Sequence, residues 1–352
     1  MWVPLPYHLA IPSVAGDVGG PLGLPSGSLA QSELEVPTLT DPADDGAWLR
    51  DGTPSVEERL DQVAALADPA RVVEPLPGGL TNTNCKVTTT SGTYVARLSR
   101  PSADFLSIDR EAEFRNSVAA ASTGIAPQVV EYVASAGVLV IEWVKGHTLE
   151  PTDLREPAVL AGIARSCRRL HASPRFVSDF NMFDMQRQYL HTARTHGFRL
   201  PDRYLDFIPA FDRVATVLSM HPAVTVPCHN DLLAANLIDD GTQTWLIDYE
   251  YSGNNDPSFE LGNIWSEAAL PPEHLGVLAD AYLGRHDETF LARCRLQALA
   301  SQYGWTLWGV IQNSVSEIDF DFWDWAIQKY VRAVATFGSP DFERLLAAAA
   351  PP

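Results

Sequence analysis

The pattern of this chain changes near Val144, and that change limits what it can fold into. Before it, short strand-like runs alternate with Gly-containing turns: "RVVEPL", "NCKVTTT" and "TYVARLS". A helical stretch follows, roughly from Asp109 to Thr123, with Gly124 at its end and Pro127 beyond. Then "GVLVIEWV" is a nearly continuous apolar run, as expected of a buried strand. After Val144 the spacing becomes helical in "PAVLAGIARSCRRLHAS", "DRYLDFIPAFDRVATVLSM", "PPEHLGVLADAYLG", "ETFLARCRLQALASQYGWTLWGVIQNSV" and "WDWAIQKYVRAVATF". The order predicts an α+β chain, with a small sheet-rich lobe over residues 53–144 and a larger, mainly helical lobe over 145–348. A cleft between two such lobes is a favoured ligand site.

Order is expected to begin at "TPSVEERLDQVAALADP", where Ser55 with Glu58 fits a capping box. Val56, Leu60, Val63 and Ala64 share one helical face there, and Pro69 ends the helix. Residues 1–52 are rich in Pro, Gly and Ser, end near an acidic patch (Asp41, Asp44, Asp45) and show no sustained period. They read as a disordered leader. The first Lys or Arg is Arg50, so no positive n-region of a secretory signal is present. No apolar run approaches the roughly 18 residues of a membrane span. Four scattered cysteines (Cys85, Cys167, Cys228, Cys294) suggest neither a zinc site nor a disulfide framework. Reduced thiols in a cytoplasmic protein are the expectation.

Charge narrows the partners. With 25 basic against 44 acidic residues the formal net charge is −19. A nucleic-acid binder needs a basic face for phosphates, and an anionic membrane surface needs the same. Neither partner is expected, whereas a cationic small molecule is tolerated.

The acids crowd most in "PCHNDLLAANLIDD" and, shortly after, "WLIDYEYSGNN". Carboxylates packed this closely stay ionised together if cations sit between them. Mg²⁺ takes oxygen ligands, usually one or two carboxylates together with phosphate oxygens. Asn236, Asp248 and, in support, Glu250 are the candidate Mg²⁺ ligands. Asp231 is left to accept a proton from an attacking hydroxyl. This H-x-D-x-x-x-x-N block with a downstream Asp is the arrangement of phosphoryl-transfer catalysis.

These blocks, "CHNDLLAANLIDD", "WLIDYEYSGNN" and "FELGNIWSE", resemble the choline/ethanolamine kinase family, which shares the fold of aminoglycoside phosphotransferases and protein kinases. The resemblance runs from about Leu76 to Trp325. It implies a bilobal protein kinase-like fold with a small antiparallel-sheet N-lobe and a larger helical C-lobe, and ATP as co-substrate. "PLPGGLTNTNCKV" becomes the phosphate-covering turn, where Gly78 and Gly79 let backbone approach phosphate without a Cβ in the way. Asn82 and Asn84 could bond phosphate oxygens. A plain hairpin turn is the alternative reading of that segment. Arg97 in "YVARLSR" takes the place of the phosphate-neutralising base, and can grip oxygens bidentately. By similarity the acid that orients it is Glu113, with Glu111 as the other choice. "LVIEWVKG" resembles the hinge between lobes, where main-chain groups near Glu142 and Val144 would bond adenine. His171 is read as a packing histidine.

The acceptor is addressed by the distal helices. A quaternary ammonium cannot donate an N–H, so aromatic faces and a nearby carboxylate hold it. Matched to the cage of choline kinases, Trp305 and Trp308 fall on its tryptophans, Trp325 on a tyrosine position and Glu267 on its acid. Glu260 stands where relatives have an Asp that supports the catalytic loop, and a further cage tyrosine is missing. The expectation is therefore an ATP- and Mg²⁺-dependent kinase of choline or a close amino alcohol. Ethanolamine, aminoglycoside, amino sugar and thiamine kinases of the same fold are the alternatives, together with a kinase-like binding protein without turnover.

Overall fold

A computed structural model describes residues 54–100 and 105–350. The expected leader, residues 1–52, lies outside the described residues. The first helix, α1 (Val56–Leu60), starts on the anticipated capping box: Ser55 N–H donates to Glu58 Oε2 at 2.7 Å and Glu58 N–H to Ser55 Oγ at 3.2 Å. It stops far short of Pro69 and gives way to a 3₁₀ turn, Ala64–Leu66. The cause is tertiary. The Glu131 carboxylate accepts from Ala64 N–H (3.2 Å) and Ala65 N–H (2.7 Å), which seeds a new turn in place of a longer helix.

Five strands form the N-lobe sheet: β1 (Val72–Leu76), β2 (Asn82–Thr88), β3 (Thr93–Ser99), β4 (Val129–Val133) and β5 (Val138–Glu142). They pair antiparallel throughout in the order β1-β2-β3-β5-β4. Alternation assigns the faces. Ala96, Leu98, Val138 and Val140 join Leu60, Val63 and Leu66 in one buried cluster. The intervening residues Val95, Arg97 and Ile141 therefore face the other way, into the cleft. The helix α2 (Arg110–Ala121) crosses beside the sheet, capped by Asp109, whose carboxylate accepts from Glu111 and Ala112 N–H. Gly124 ends this segment at φ 73°, a left-handed turn that glycine adopts without strain.

The C-lobe is mainly helical, as anticipated: α3 (Pro157–His171), α4 (Met182–Thr195), α5 (Ile208–Met220), α6 (Pro257–Glu267), α7 (Pro272–Leu283), α8 (Glu288–Val315), α9 (Phe322–Phe337) and α10 (Asp341–Ala349). Three of them, α4, α6 and α10, go beyond the sequence expectation. For α6 the reason is plain: it is buried almost all round, so no apolar stripe marks it. The long α8 is the axis of the lobe, with α4, α6, α9 and α10 packed against it.

Short strands frame the functional loops. β6 (His147–Thr148), β8 (Leu237–Asp239) and β9 (Thr244–Leu246) form one small sheet, and β7 (Val226–Cys228) pairs with β10 (Gly253–Asn255). The loops 229–236 and 247–252 leave these strands side by side. "TWLIDYE", expected as one strand ending in acids, stops at Leu246. Asp248 then adopts φ 73°, which turns the chain out of the ladder.

Close helix packing positions the site. A Cβ at Gly262 on α6 would sit 2.3 Å from the Cys294 carbonyl oxygen and 2.9 Å from Ala298 N, both α8 backbone. Gly262→Ala should therefore force α6 off α8. The expected loss is roughly 1–3 kcal/mol, the range for overpacked cores, read as a lower urea midpoint at unchanged slope.

Candidate active site

Two backbone devices hold the loop 229–236. Glu260, at the buried start of α6, accepts from the N–H groups of His229 and Asn230, each at 2.8 Å. Burial would raise its carboxyl, but hydrogen bonding to His171 and to this loop outweighs that and holds it below the usual range. The loop is thus anchored through this glutamate. Asn230 sits at φ 69°, a conformation Asn tolerates better than other side-chain-bearing residues. Its Nδ2 donates to the carbonyls of Tyr251 (3.0 Å), Cys228 (3.3 Å) and Gly253 (3.3 Å), tying the two functional loops together. His229 Nε2 lies 2.7 Å from the Ile247 carbonyl, and burial pushes its pKa down, so it bridges the loops as a neutral ring donating from Nε2. His171, read as a packing residue, is buried with Nδ1 2.8 Å from Tyr282 OH.

On this frame the expected residues converge. Asp231, Asn236, Asp248, Arg97, Gly78, Gly79, Asn82, Glu142 and Val144 line one cleft between the lobes, and Glu267, Trp305, Trp308 and Trp325 line its far end. Asn236 donates its Nδ2 to the Asp231 carbonyl at 2.8 Å, which leaves Oδ1 as its ligand atom. Arg97 is buried between Glu113 (3.1 Å) and Asp248, with which it makes a short ion pair. Of the two acids offered for orienting it, Glu113 makes the contact. Glu111 pairs instead with Arg115 at the surface. Glu142 N–H is bonded to the Gln128 carbonyl at 2.9 Å, so main-chain donation at the hinge falls to Val144.

The electrostatics separate the acids. Burial would raise Asp248, yet Arg97 more than offsets it and holds the carboxyl below its ordinary value. Glu250 is pushed up to about 7 by burial and by Asp248, against the pull of Arg110 and Arg97. Asp231 rises well above the carboxylate range, first through burial, then through Glu267, Asp248 and Glu250. Ionisation of Asp231, beside Asp248 and the free oxygen of Asn236, is therefore disfavoured unless a cation joins them. That donor set fits a hard divalent cation. The buried Arg97 Nε, without a hydrogen-bond partner, fits a phosphate oxygen.

Glu250 corrects the sequence expectation. Its oxygens are taken by Thr81 Oγ1 (2.8 Å to each), Asn82 Nδ2 (3.0 Å) and Arg110 Nη1 (3.2 Å), so it ties the lobes together instead of standing open to a metal. Asn82, expected to bond phosphate, is held by the same tie. The turn above them is shaped by glycine: Gly78 has φ 99°, and a Cβ at Gly79 would lie 2.4 Å from the Asn82 carbonyl oxygen. Gln312 of α8 reaches up to donate to the Leu80 carbonyl at 3.0 Å.

At the far end, Trp308 donates its indole N–H to Tyr251 OH at 2.8 Å and lies 5.0 Å, centre to centre, from Trp325. Trp305 packs against Tyr251 at 4.9 Å. Trp325 departs from the expected role. The Nζ of Lys329 stands 4.1 Å from its ring centre and is ion-paired with Glu267, so a protein cation already faces it.

A model of the phosphotransferase enzyme family matches residues 72–295. A choline/ethanolamine kinase family protein from Mesorhizobium loti is 30% identical and superposes with a TM-score of 0.73, covering 83% of this chain and 98% of its own. The chain belongs to the phosphotransferase enzyme family, in its choline/ethanolamine kinase branch. Protein LicA of Haemophilus influenzae is 28% identical over 267 residues, 72% of this chain and 76% of LicA. Ethanolamine kinase 1 of Mus musculus is 28% identical, over 64% of this chain and 72% of the mouse protein. Choline kinase LicA from Streptococcus pneumoniae has the same fold at 22% identity, with a TM-score of 0.67, covering 82% of this chain and 97% of its own. This kinase is accordingly a phosphotransferase acting on an alcohol.

Thr81, Arg110, Tyr251 and Lys329 complete the kinase's site without having been singled out in the sequence. Two carried a signal. Arg110 lies one helical turn before Glu113, and Lys329 four residues after Trp325, both spacings that bring side chains together. Glu260→Ala should strand two buried loop N–H donors, at roughly 1–3 kcal/mol each. Chemical denaturation should show the lost stability, and turnover should fall with it.

Proposed function

We propose that this kinase transfers the γ-phosphoryl group of ATP to the hydroxyl of choline or a close amino alcohol, with Mg²⁺. The observation that carries the reading is one continuous cleft. Asp231, Asn236, Asp248, Glu267, Trp305 and Trp308 all line it, which supports a base standing between a metal and an acceptor. Mg²⁺, held by Asn236 and Asp248, would neutralise phosphate charge. The protein's own residues do the rest. Asp231 orients the acceptor hydroxyl and takes its proton as the oxygen attacks phosphorus. Arg97, kept in place by Glu113, neutralises phosphate charge, and the Gly78–Gly79 turn lets backbone close over it. Val144 offers a main-chain N–H to the base. That a LicA structure is a complex with AMP supports the nucleotide assignment. Trp305 and Trp308 seat the apolar flank of the acceptor's cationic head, each cation–π contact adding roughly 0.5–2 kcal/mol.

Among the described residues no helix is long and apolar enough to cross a membrane, and the four cysteines are buried and unpaired.

Asp231→Asn should lower kcat by roughly 10²–10⁴, the usual contribution of a positioned base, while ATP-analogue affinity stays near wild type. Near-normal turnover would remove Asp231 from the role of base. Trp308→Ala should chiefly raise KM for the amino alcohol, and an unchanged KM would take Trp308 out of the acceptor pocket. Chelation with EDTA should abolish ATP consumption, and added Mg²⁺ should restore it. A screen of choline, ethanolamine, thiamine, amino sugars and aminoglycosides by kcat/KM should rank an amino alcohol first. Preference for an aminoglycoside would overturn the acceptor assignment while leaving the chemistry intact.

A further inference from the structure

We propose that Lys329 sets acceptor specificity: as a built-in cation it takes one oxygen of Glu267 and the face of Trp325, so the acceptor must bring an N–H to the other oxygen. The inference rests on the amino-alcohol reading above and divides that class. Glu267, on the last turn of α6, and Lys329, on α9, form an ion pair whose side chains are only 4% and 3% exposed. Glu267 Oε2 is bonded to Lys329 Nζ, whereas Oε1 is buried with no hydrogen-bond partner. Lys329 Nζ also lies 4.1 Å from the centre of the Trp325 ring.

Three physical consequences follow. First, the pull of Glu267 on an incoming cation is largely cancelled, because a like charge stands beside it. Second, the cation–π surface left for a ligand is that of Trp305 and Trp308, since Lys329 covers Trp325. Third, Oε1 is a buried acceptor without a partner of its own, on a residue that lines the cleft. A trimethylammonium head would cover it with methyl groups and leave it unsatisfied, which is costly for a buried charged group. An ammonium carrying even one hydrogen satisfies it with a charge-assisted bond. Selectivity should therefore break between one N–H and none, instead of changing gradually with methyl count.

The test is kcat/KM, with direct binding by calorimetry, for ethanolamine, N-methylethanolamine, N,N-dimethylethanolamine and choline. The first three should lie close together and choline should fall by about tenfold or more. Lys329→Met frees the second oxygen, uncovers Trp325 and restores the charge of Glu267. It should bring choline to within about threefold of dimethylethanolamine. Choline equal to or better than dimethylethanolamine in the wild-type enzyme would overturn the proposal. So would a drop that persists unchanged in Lys329→Met. If melting curves show that Lys329→Met does not fold, Glu267→Gln/Lys329→Met removes both charges together and should flatten the series; a retained drop there overturns it equally. If none of the four alcohols is phosphorylated while ATP-analogue binding is intact, the amino-alcohol reading itself falls and takes this inference with it. That result is distinct from turnover without a break in the series.

Discussion

A guanidinium withdrawn from water holds this site together. Arg97 projects from β3 into a position where Glu113 of α2 and Asp248 of the C-lobe loop both reach it. Desolvating such a charge costs several kcal/mol, and only well-placed partners repay it. Once buried, the arrangement tolerates little change, because removing one partner strands the others at a cost of about 3–5 kcal/mol. The contact that fixes the relation of the two lobes is thus made of the same groups that face the chemistry. Arg110 repeats the device beside it, bridging Glu113 and Glu250.

Counting charges around Arg97 explains where the reactive end of the cleft lies. Four carboxylates (Glu113, Asp231, Asp248 and Glu250) surround two guanidiniums, Arg97 and Arg110, within this cluster. The guanidiniums pair with Glu113, Asp248 and Glu250 and leave Asp231 without a basic partner in this cluster, so burial first, and then the neighbouring acids, push its carboxyl upward. A divalent cation held by Asn236 and Asp248, as proposed, would supply the missing compensation and favour the ionised form a general base needs. The acceptor end is balanced differently. There Glu267 is ion-paired with Lys329, and what is left over on that carboxylate is an oxygen without a partner. On the proposed reading, phosphate is recognised through net charge and the acceptor through direction.

Several of these features were legible in the chain. Period-2 runs gave the strands of the N-lobe, and "HNDLLAAN" with the downstream "IDYE" marked the acids and asparagine that meet in the cleft. Ser55 with Glu58 marked the first cap. Other features were hidden for identifiable reasons. Helix α6 is buried on nearly all sides, so it lacks the polar face that makes a helix visible. The early end of α1 depends on Glu131, distant in sequence and brought near only by the sheet. Glu250 looked like a metal ligand because it stands two residues from Asp248; that Thr81, Asn82 and Arg110 take its oxygens depends on how the lobes meet.

Residue type and local spacing determined by themselves which groups could do chemistry here, since acids, amides and glycines at short intervals constrain one another through the backbone. They also determined the order of sheet and helix, which follows from periodicity. Only the tertiary structure decided which charges cancel. Pairing between Arg97 and Asp248, 151 residues apart, or between Glu267 and Lys329, 62 residues apart, rests on distances that no local pattern encodes. Coulomb energies inside a low-dielectric cleft depend steeply on those distances, so the same residues a few ångströms apart would have made a different site.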